Sequence, residues 1–464
     1  MRHFLVVIIA FVIAGCGIFD SDQTGTVIVT SEPPDASVYL DGDWTGQTTP
    51  ATLKEIAIGV HTIEISDHYS ESYKEEVTVT ENQTTYVDVQ IATKLALESN
   101  PSGAIIVLND SVTTYVTPHI FEGLPLSGYY SIRLLKEGHL PHESTWRRQL
   151  GDVREISTEL LPAPDLEIVY SLGTGKWGDD YVLHTVGFDG MNSAQLFGRS
   201  IITEGTVRWS SDGQHLAYNT ESGVSIITCN GTFIGEVPRG ERVSHDFVWS
   251  HDGTMLSLGS YFDGIYLFDI EDQTLAKIVR TNSMVYDHNP AFDPNDQFIA
   301  HVQHQWGSDA ILYVRDLGGN HIASYGRFKA CCDRNMSLTW ISDAELLFLA
   351  DGGVYTFEPY VSGATHQLVV EDAYRNLIVT DDVEQFAYAT EDGDIYVGEV
   401  GKWTPRFITN LSGIRELHWT PEMNAITCLT RSGIYWITLD RRVYHIVSVN
   451  SYSGPAVIYG MSIR

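Results

Sequence analysis

Val207 to Tyr218 reads VRWSSDGQHLAY: an apolar step closed by Trp209, a polar turn holding Asp212 and Gly213, then a short apolar strand. Five more stretches share this layout. They are FVWSHDGTMLSL (Phe247 to Leu258), PAFDPNDQFIAH (Pro290 to His301), LTWISDAELLFL (Leu338 to Leu349), LIVTDDVEQFAY (Leu377 to Tyr388) and LHWTPEMNAITC (Leu417 to Cys428). The anchor residues Trp209, Trp249, Phe292, Trp340, Val379 and Trp419 recur about every 40 residues, the period of a four-stranded propeller blade. The chain from Asp165 onward is therefore read as a β-propeller.

The number of blades follows from a second strand type. Ile265-Tyr266-Leu267, Leu312-Tyr313-Val314, Val354-Tyr355-Thr356, Ile395-Tyr396-Val397 and Ile434-Tyr435-Trp436 follow five of the anchors. Val224 to Ile227 and Tyr181 to His184 are looser members, which makes seven such strands against six anchors. The unanchored set (Glu167 to Leu172, Tyr181 to Val186, Gln195 to Phe197) lacks a first strand, and Gly454 to Ile463 can supply it. Such a closure joins the two ends of the ring and leaves no open edge, so seven blades are favoured, with six as the alternative. These repeats resemble the TolB-like and WD-like propellers of exported proteins, whose "IYxxD" strand leads to a "WSPDG" turn. The full turn signature is intact at Trp209 and Trp249 and drifts in the later copies.

Upstream lies a different repeat. SEPPDASVYLDGDWTGQTTP (Ser31 to Pro50) and SNPSGAIIVLNDSVTTYVTP (Ser99 to Pro118) align Pro33 with Pro101, Ala36 with Ala104, Leu40 with Leu108 and Thr49-Pro50 with Thr117-Pro118. Period-two alternation with Pro and Gly punctuation predicts strands and turns throughout. The two copies resemble PEGA domains, small β-sandwich modules of bacterial envelope proteins. The resemblance implies a spacer or adhesion element without catalysis. The second copy has Pro-Ser-Gly-Ala at the family's Pro-Glu-Gly-Ala; the first departs further, with Pro-Pro-Asp-Ala. The expected layout is a signal with its Cys (1–16), a tether (17–24), module one (25–93), module two (94–162) and the propeller (165–464), the last joined through Leu160-Leu161-Pro162-Ala163-Pro164.

The first residues set the expected compartment. Arg2 and His3 precede an apolar run, Phe4 to Ala14, too short to span a bilayer as a helix. It closes on Ile13-Ala14-Gly15-Cys16, which resembles the lipobox of bacterial lipoproteins; the resemblance implies cleavage before Cys16 and lipidation of its thiol. Several acyl chains on one Cys would anchor the protein stably, at about 0.8 kcal/mol per buried methylene. Gly17, rather than Asp, follows the Cys, which by analogy favours the outer membrane, on its periplasmic face or at the cell surface.

A net charge of −32 argues against nucleic acid and anionic headgroups as partners. Cys229, Cys331, Cys332 and Cys428 remain beside Cys16, without a CxxC pair that would indicate zinc. The chain shows no GxSxG elbow, no HExxH and no complete EF-hand loop, and LGTGKWG (Leu172 to Gly178) fails the phosphate-loop pattern because Trp177 follows Lys176. His288, His301 and His304 fall in one blade, but positions i and i+3 of a strand point to opposite faces. No catalytic residue, metal or cofactor is assigned.

One pattern suggests a binding site. Three residues before each anchor stand Thr206, Asp246, Asn289, Ser337, Asn376 and Glu416, all polar. His245, His288, Arg375 and Arg415 come just before four of them. If the anchored strands are innermost, these positions ring one mouth of the channel, a place suited to a ligand. The expected function is a lipid-anchored envelope protein that binds or scaffolds a protein, peptide or glycan partner. The alternatives are a propeller-fold polysaccharide lyase or hydrolase and a purely structural surface protein.

Overall fold

The computed structural model describes residues 23–464 except 33, 67–71, 92–93, 123, 125–128, 148–152, 174–180, 192, 202–205, 221–222, 239–242, 262–263, 281–284, 306–307, 329–336, 362, 364–365 and 449–456. The export signal with Cys16, the Cys331-Cys332 pair and most of the Leu172 to Gly178 turn lie outside the described residues. Every regular element among the described residues is a β-strand. The chain divides into two compact units: Met1–Ser102, Thr117–Tyr130 and Thr145–Thr158 form the first, and Gly103–Val116, Ser131–Ser144 and Glu159–Arg464 the second.

In the first unit, Thr24–Glu32 pairs antiparallel with Ala51–Ala57 and parallel with Thr84–Gln90. A second sheet has the order Asp43–Thr48, Ser37–Leu40, Gly59–Ser66, Ser72–Val79. Alternate residues of both sheets (Val27, Val29, Val38, Ile63, Ile65, Val77, Val79) make one core. The second repeat follows the same strand orders. His119–Glu122, Lys94–Asn100 and Val153–Glu159 form a three-stranded sheet, and Ser111–Val116, Ile105–Leu108, Tyr129–Lys136 and His139–Arg147 a four-stranded one. Local hydrogen bonds recur with it. Ser31 Oγ meets Thr49 Oγ1 at 2.5 Å as Ser99 Oγ meets Thr117 Oγ1 at 2.6 Å, and Thr45 and Thr113 each donate at 2.7 Å to the carbonyls of Val38 and Ile106.

The propeller consists of five four-stranded antiparallel sheets and one eight-stranded sheet in which two neighbouring blades are joined, seven blades in all. The strand nearest the axis of each is, in ring order, Val457–Ile463, Val207–Trp209, Val243–Trp249, Val285–Phe292, Leu338–Trp340, Arg375–Val379 and Glu416–Trp419. Each touches the next, and Glu416–Trp419 touches Val457–Ile463, so the ring closes on itself as a seven-bladed propeller. The final strand supplies the missing first strand of the unanchored blade, pairing Ile168 with Ile463 and Tyr170 with Met461. Arg464 completes the closure with an ion pair to Glu167 at 2.6 Å.

The anchors sit between blades. Trp249 packs among Ala217, Val224 and Ile226 of the preceding blade, and Trp340 among Ala300, Leu312 and Val314 of its own predecessor. Their indole nitrogens also donate backwards, Trp249 Nε1 to the Arg208 carbonyl at 3.1 Å and Trp340 Nε1 to the Ala291 carbonyl at 3.3 Å. The turn after the anchor explains the rest of the motif. Asp212 accepts from Ser210 Oγ (2.5 Å) and Gln214 N (2.9 Å), and Asp252 accepts from Ser250 Oγ (2.7 Å) and Thr254 N (2.9 Å). Gly213 and Gly253 take φ of 67° and 72°, where a Cβ would be strained.

The seam between the last and first blades has an additional cover. Leu140, from the four-stranded sheet of the second repeat, is buried among Ile168, Tyr170, Ile434, Ile446 and Val447. Arg133 Nη2 donates to the His445 carbonyl at 3.0 Å, and the Glu143 carboxylate lies 2.6 Å from Arg133 Nε and 3.2 Å from His445 Nδ1.

Candidate functional site at one end of the propeller channel

Because every blade repeats one strand direction, the starts of the innermost strands share one end of the channel. Thr206 and Ser337 stand immediately before such strands, and Asp246, Asn289, Asn376 and Glu416 lie within them. The pairing is irregular at this height in three blades: between Val243 and Phe247, between His288 and Ala291, and between Arg375 and Ile378. Asp246, Asn289 and Asn376 therefore fall inside bulges. A bulge bends its strand and re-aims a side chain, and bulges concentrate at the rims of closed sheets. Asn289 and Asn376 have φ of 50° and 55°, the left-handed region that Asn tolerates better than most residues. Polar identity before an anchor was legible in the sequence; the bulges were not.

The side chains of this end differ in what they meet. Asn376 Nδ2 is buried and has no hydrogen-bond partner among the described residues. Arg375 donates through Nη1 to the Ile414 carbonyl of the next blade at 3.0 Å and lies over the Tyr374 ring at 5.0 Å. The backbone of Arg415 donates to the Leu429 carbonyl at 2.8 Å. Glu416 turns to Arg208, whose Nη1 is 3.3 Å from its Oε2, and to His418 Nε2 at 3.1 Å. Arg208 also donates to the Met461 carbonyl at 3.1 Å, so the trio clasps the closing strand. Burial opposes ionisation of Glu416, but Arg208 and His418 outweigh it and hold the carboxyl below its ordinary range. The side chains of His245 and Asp246 lie outside the described residues.

Two neighbouring blades are tall at this end, as is the blade of Val457–Ile463 and Glu167–Gly173. Val243–Trp249, Met255–Tyr261, Val285–Phe292 and Phe298–Gln305 run 7 or 8 residues each. Across the gap between the blades, Ser260 pairs with Asp287 and Tyr261 with Tyr286. The wall so formed carries a polar cluster. Asp287 and His301 are fully buried, with Oδ1 3.1 Å from Nδ1. Gln303 Nε2 donates to the same Asp287 oxygen at 3.0 Å, and Arg315 Nε donates to His301 Nε2 at 3.2 Å. His288 Nε2 meets His304 Nδ1 at 2.9 Å. His301 and His304 thus have separate partners on opposite faces, as the period of two requires. Burial, with His304 next, pushes His288 down to about 3, and burial lowers His301 as well. Both imidazoles are neutral at pH 7. Among the described residues no group of three or more His, Cys, Asp or Glu could hold a metal ion.

Residues 24–94 match the PEGA domain family. No curated protein matches the chain. Among solved structures, an oligogalacturonate lyase in complex with manganese is 9% identical over 61% of this chain and 86% of its own, with a TM-score of 0.44. TolB from Acinetobacter baumannii is 11% identical over 72% of this chain and 79% of its own, at 0.40. A chain of a mitotic checkpoint complex is 15% identical over 55% and 82%, at 0.42.

Proposed function

We propose that this protein is a lipid-anchored envelope protein whose propeller holds a protein, peptide or glycan partner at the channel end ringed by Thr206, Asp246, Asn289, Ser337, Asn376, Glu416, Arg375 and Arg415. The observation that carries this reading is the bulge at one height in three blades, which sets Asp246, Asn289 and Asn376 off the regular ladder, the first two within the tall wall. A closed seven-strand ring is rigid, so polar groups on it can grip a ligand without reorganising the scaffold. Membrane attachment comes from Cys16, and the PEGA-like modules serve as stalk or contact arm. The buried Asp287–His301 pair is the nearest approach to a catalytic arrangement, but with both side chains fully buried it serves the wall rather than a substrate. Photocrosslinkers placed at Ser337 and, separately, at Leu275 on an outer blade strand test the reading in intact cells. Partner adducts from Ser337 and none from Leu275 support it; the reverse pattern contradicts it.

A further inference from the structure

One position of the third blade strand repeats around the ring, opposite the residue that follows each anchor's partner on the second strand. Ile226, Leu267, Val314, Thr356 and Val397 hold it in five blades, and the last blade puts Trp436 there, opposite Thr427. Packing alone does not call for the indole. Its Nε1 is covered without a hydrogen-bond partner among the described residues, and a buried donor left unmatched is destabilising, a cost an aliphatic side chain would not carry. The ring is held by Phe188 and Tyr444, with centroids 6.0 Å and 5.4 Å away. It lines a half-open cavity of about 220 Å³ together with Pro162, Pro164, Leu166, Glu422 and Asn424. The proline wall is pinned: Ala163 N donates to the Gly138 carbonyl at 2.9 Å, and Leu140 N to the Leu161 carbonyl at 2.8 Å. Glu422 departs from its counterparts. Asp212, Asp252 and Asp382 stand at the same place after their anchors and accept from the backbone N–H two residues on. Glu422 is one methylene longer and accepts instead from the Asn424 side chain, Nδ2 to Oε2 at 2.9 Å. Among the described residues nothing donates to its Oε1, and none of those lining the cavity is Lys or Arg.

We propose that this cavity receives a lysine or arginine side chain of a partner polypeptide, with the alkyl stem against Trp436 and Pro164 and the cationic head toward Glu422. Size selects one side chain. The cavity is smaller than the roughly 300–1,000 Å³ of pockets for drug-sized ligands, so it suits a single long side chain and not an oligosaccharide. The wall selects a cation. Its one charged group among the described residues is the Glu422 carboxylate, and Trp is the aromatic ring that attracts cations best. The field of the whole chain agrees, since a net charge of −32 draws cations to the surface and repels anions. The site is separate from the ringed channel end. Residues 420–425 follow the innermost strand Glu416–Trp419, whereas the ring stands at the start of that strand.

Ligand-observed saturation-transfer NMR of the full chain tests this with three probes: Nα-acetyl-lysine amide, Nα-acetyl-arginine amide and Nα-acetyl-norleucine amide, which keeps the stem without the charge. The expected result is saturable binding of the two basic probes, weakened by salt, and no binding of the norleucine probe at the same concentrations. Fluorotryptophan labelling locates the site. The fluorine resonance missing from Trp436→Phe should shift when the lysine probe is added. Glu422→Gln should weaken binding by about threefold or more and, because the residue is exposed, melt like wild type. Trp436→Leu, which supplies the side chain that Leu267 carries at the same position, should fold and lose the basic probes. Absence of saturable binding, equal binding of the norleucine probe, an unmoved Trp436 resonance or full affinity in Glu422→Gln would overturn the proposal. So would tighter binding of n-butylammonium than of the lysine probe, which would make the ligand a free amine rather than a side chain.

Discussion

Trp249 donates its indole N–H to the carbonyl of Arg208, 3.1 Å away on the innermost strand of the preceding blade. The anchor is thus a fastener between blades, buried to 6% exposure in the apolar cluster that both blades share. Trp249→Ala removes the packing and leaves the carbonyl without this donor. The expected loss is roughly 3–5 kcal/mol, measured by denaturant unfolding. A variant that melts like wild type yet loses a partner would make Trp249 a ligand contact instead.

The proline-bearing linker at 160–164 reads as a boundary, and the domain layout drawn from it stays a proposal. The compact units add a condition, since Leu140 packs into the seam between the last and first blades. Leu140→Ala is expected to cost about 2–4 kcal/mol of propeller stability. A fragment beginning at Asp165 should melt cooperatively but below one beginning at Gly103. Equal melting temperatures would show that the seam closes without the second repeat.

Acid should destabilise the propeller through its buried histidines. Burial holds His288 down at about 3, whereas an unfolded His titrates near 6.5. The unfolded chain therefore binds the extra proton between these values, so this contribution to stability is full above about pH 6.5 and falls as pH drops. The expected loss from this residue is roughly 3 kcal/mol between pH 6.5 and 4. His288→Gln should flatten that part of the stability profile. An unchanged slope would place the acid sensitivity elsewhere.

Cys16→Ser should leave the protein unprocessed or release it from membranes. Mass spectrometry of the mature N-terminus and membrane fractionation report this directly. Normal processing and membrane partitioning of the variant, with no lipid on the wild-type Cys, would remove the anchor from the account.

The repeats were legible because their residues do repeated physical jobs. Trp recurs where blades pack, Asp where a turn needs an acceptor, and Gly where φ is positive. The closing strand was legible by counting, since one blade lacked a first strand. The asymmetries were not. Nothing in the period shows that Val285–Phe292 and Phe298–Gln305 outgrow their counterparts, or that bulges fall on Asn289 and Asn376. These depend on pairings between blades, such as Ser260 with Asp287, that no local pattern encodes. Glu416 was legible as polar but not as the partner of Arg208, 208 positions away.

One measurement reaches partner binding at the ringed channel end most directly. Asp246→Ala and Arg375→Ala combined should abolish capture of the partner crosslinked from native envelopes, with a melting temperature shifted by no more than about 2–4 °C. Full capture by this double variant, with the fold intact, would contradict the account and move the binding surface away from the channel.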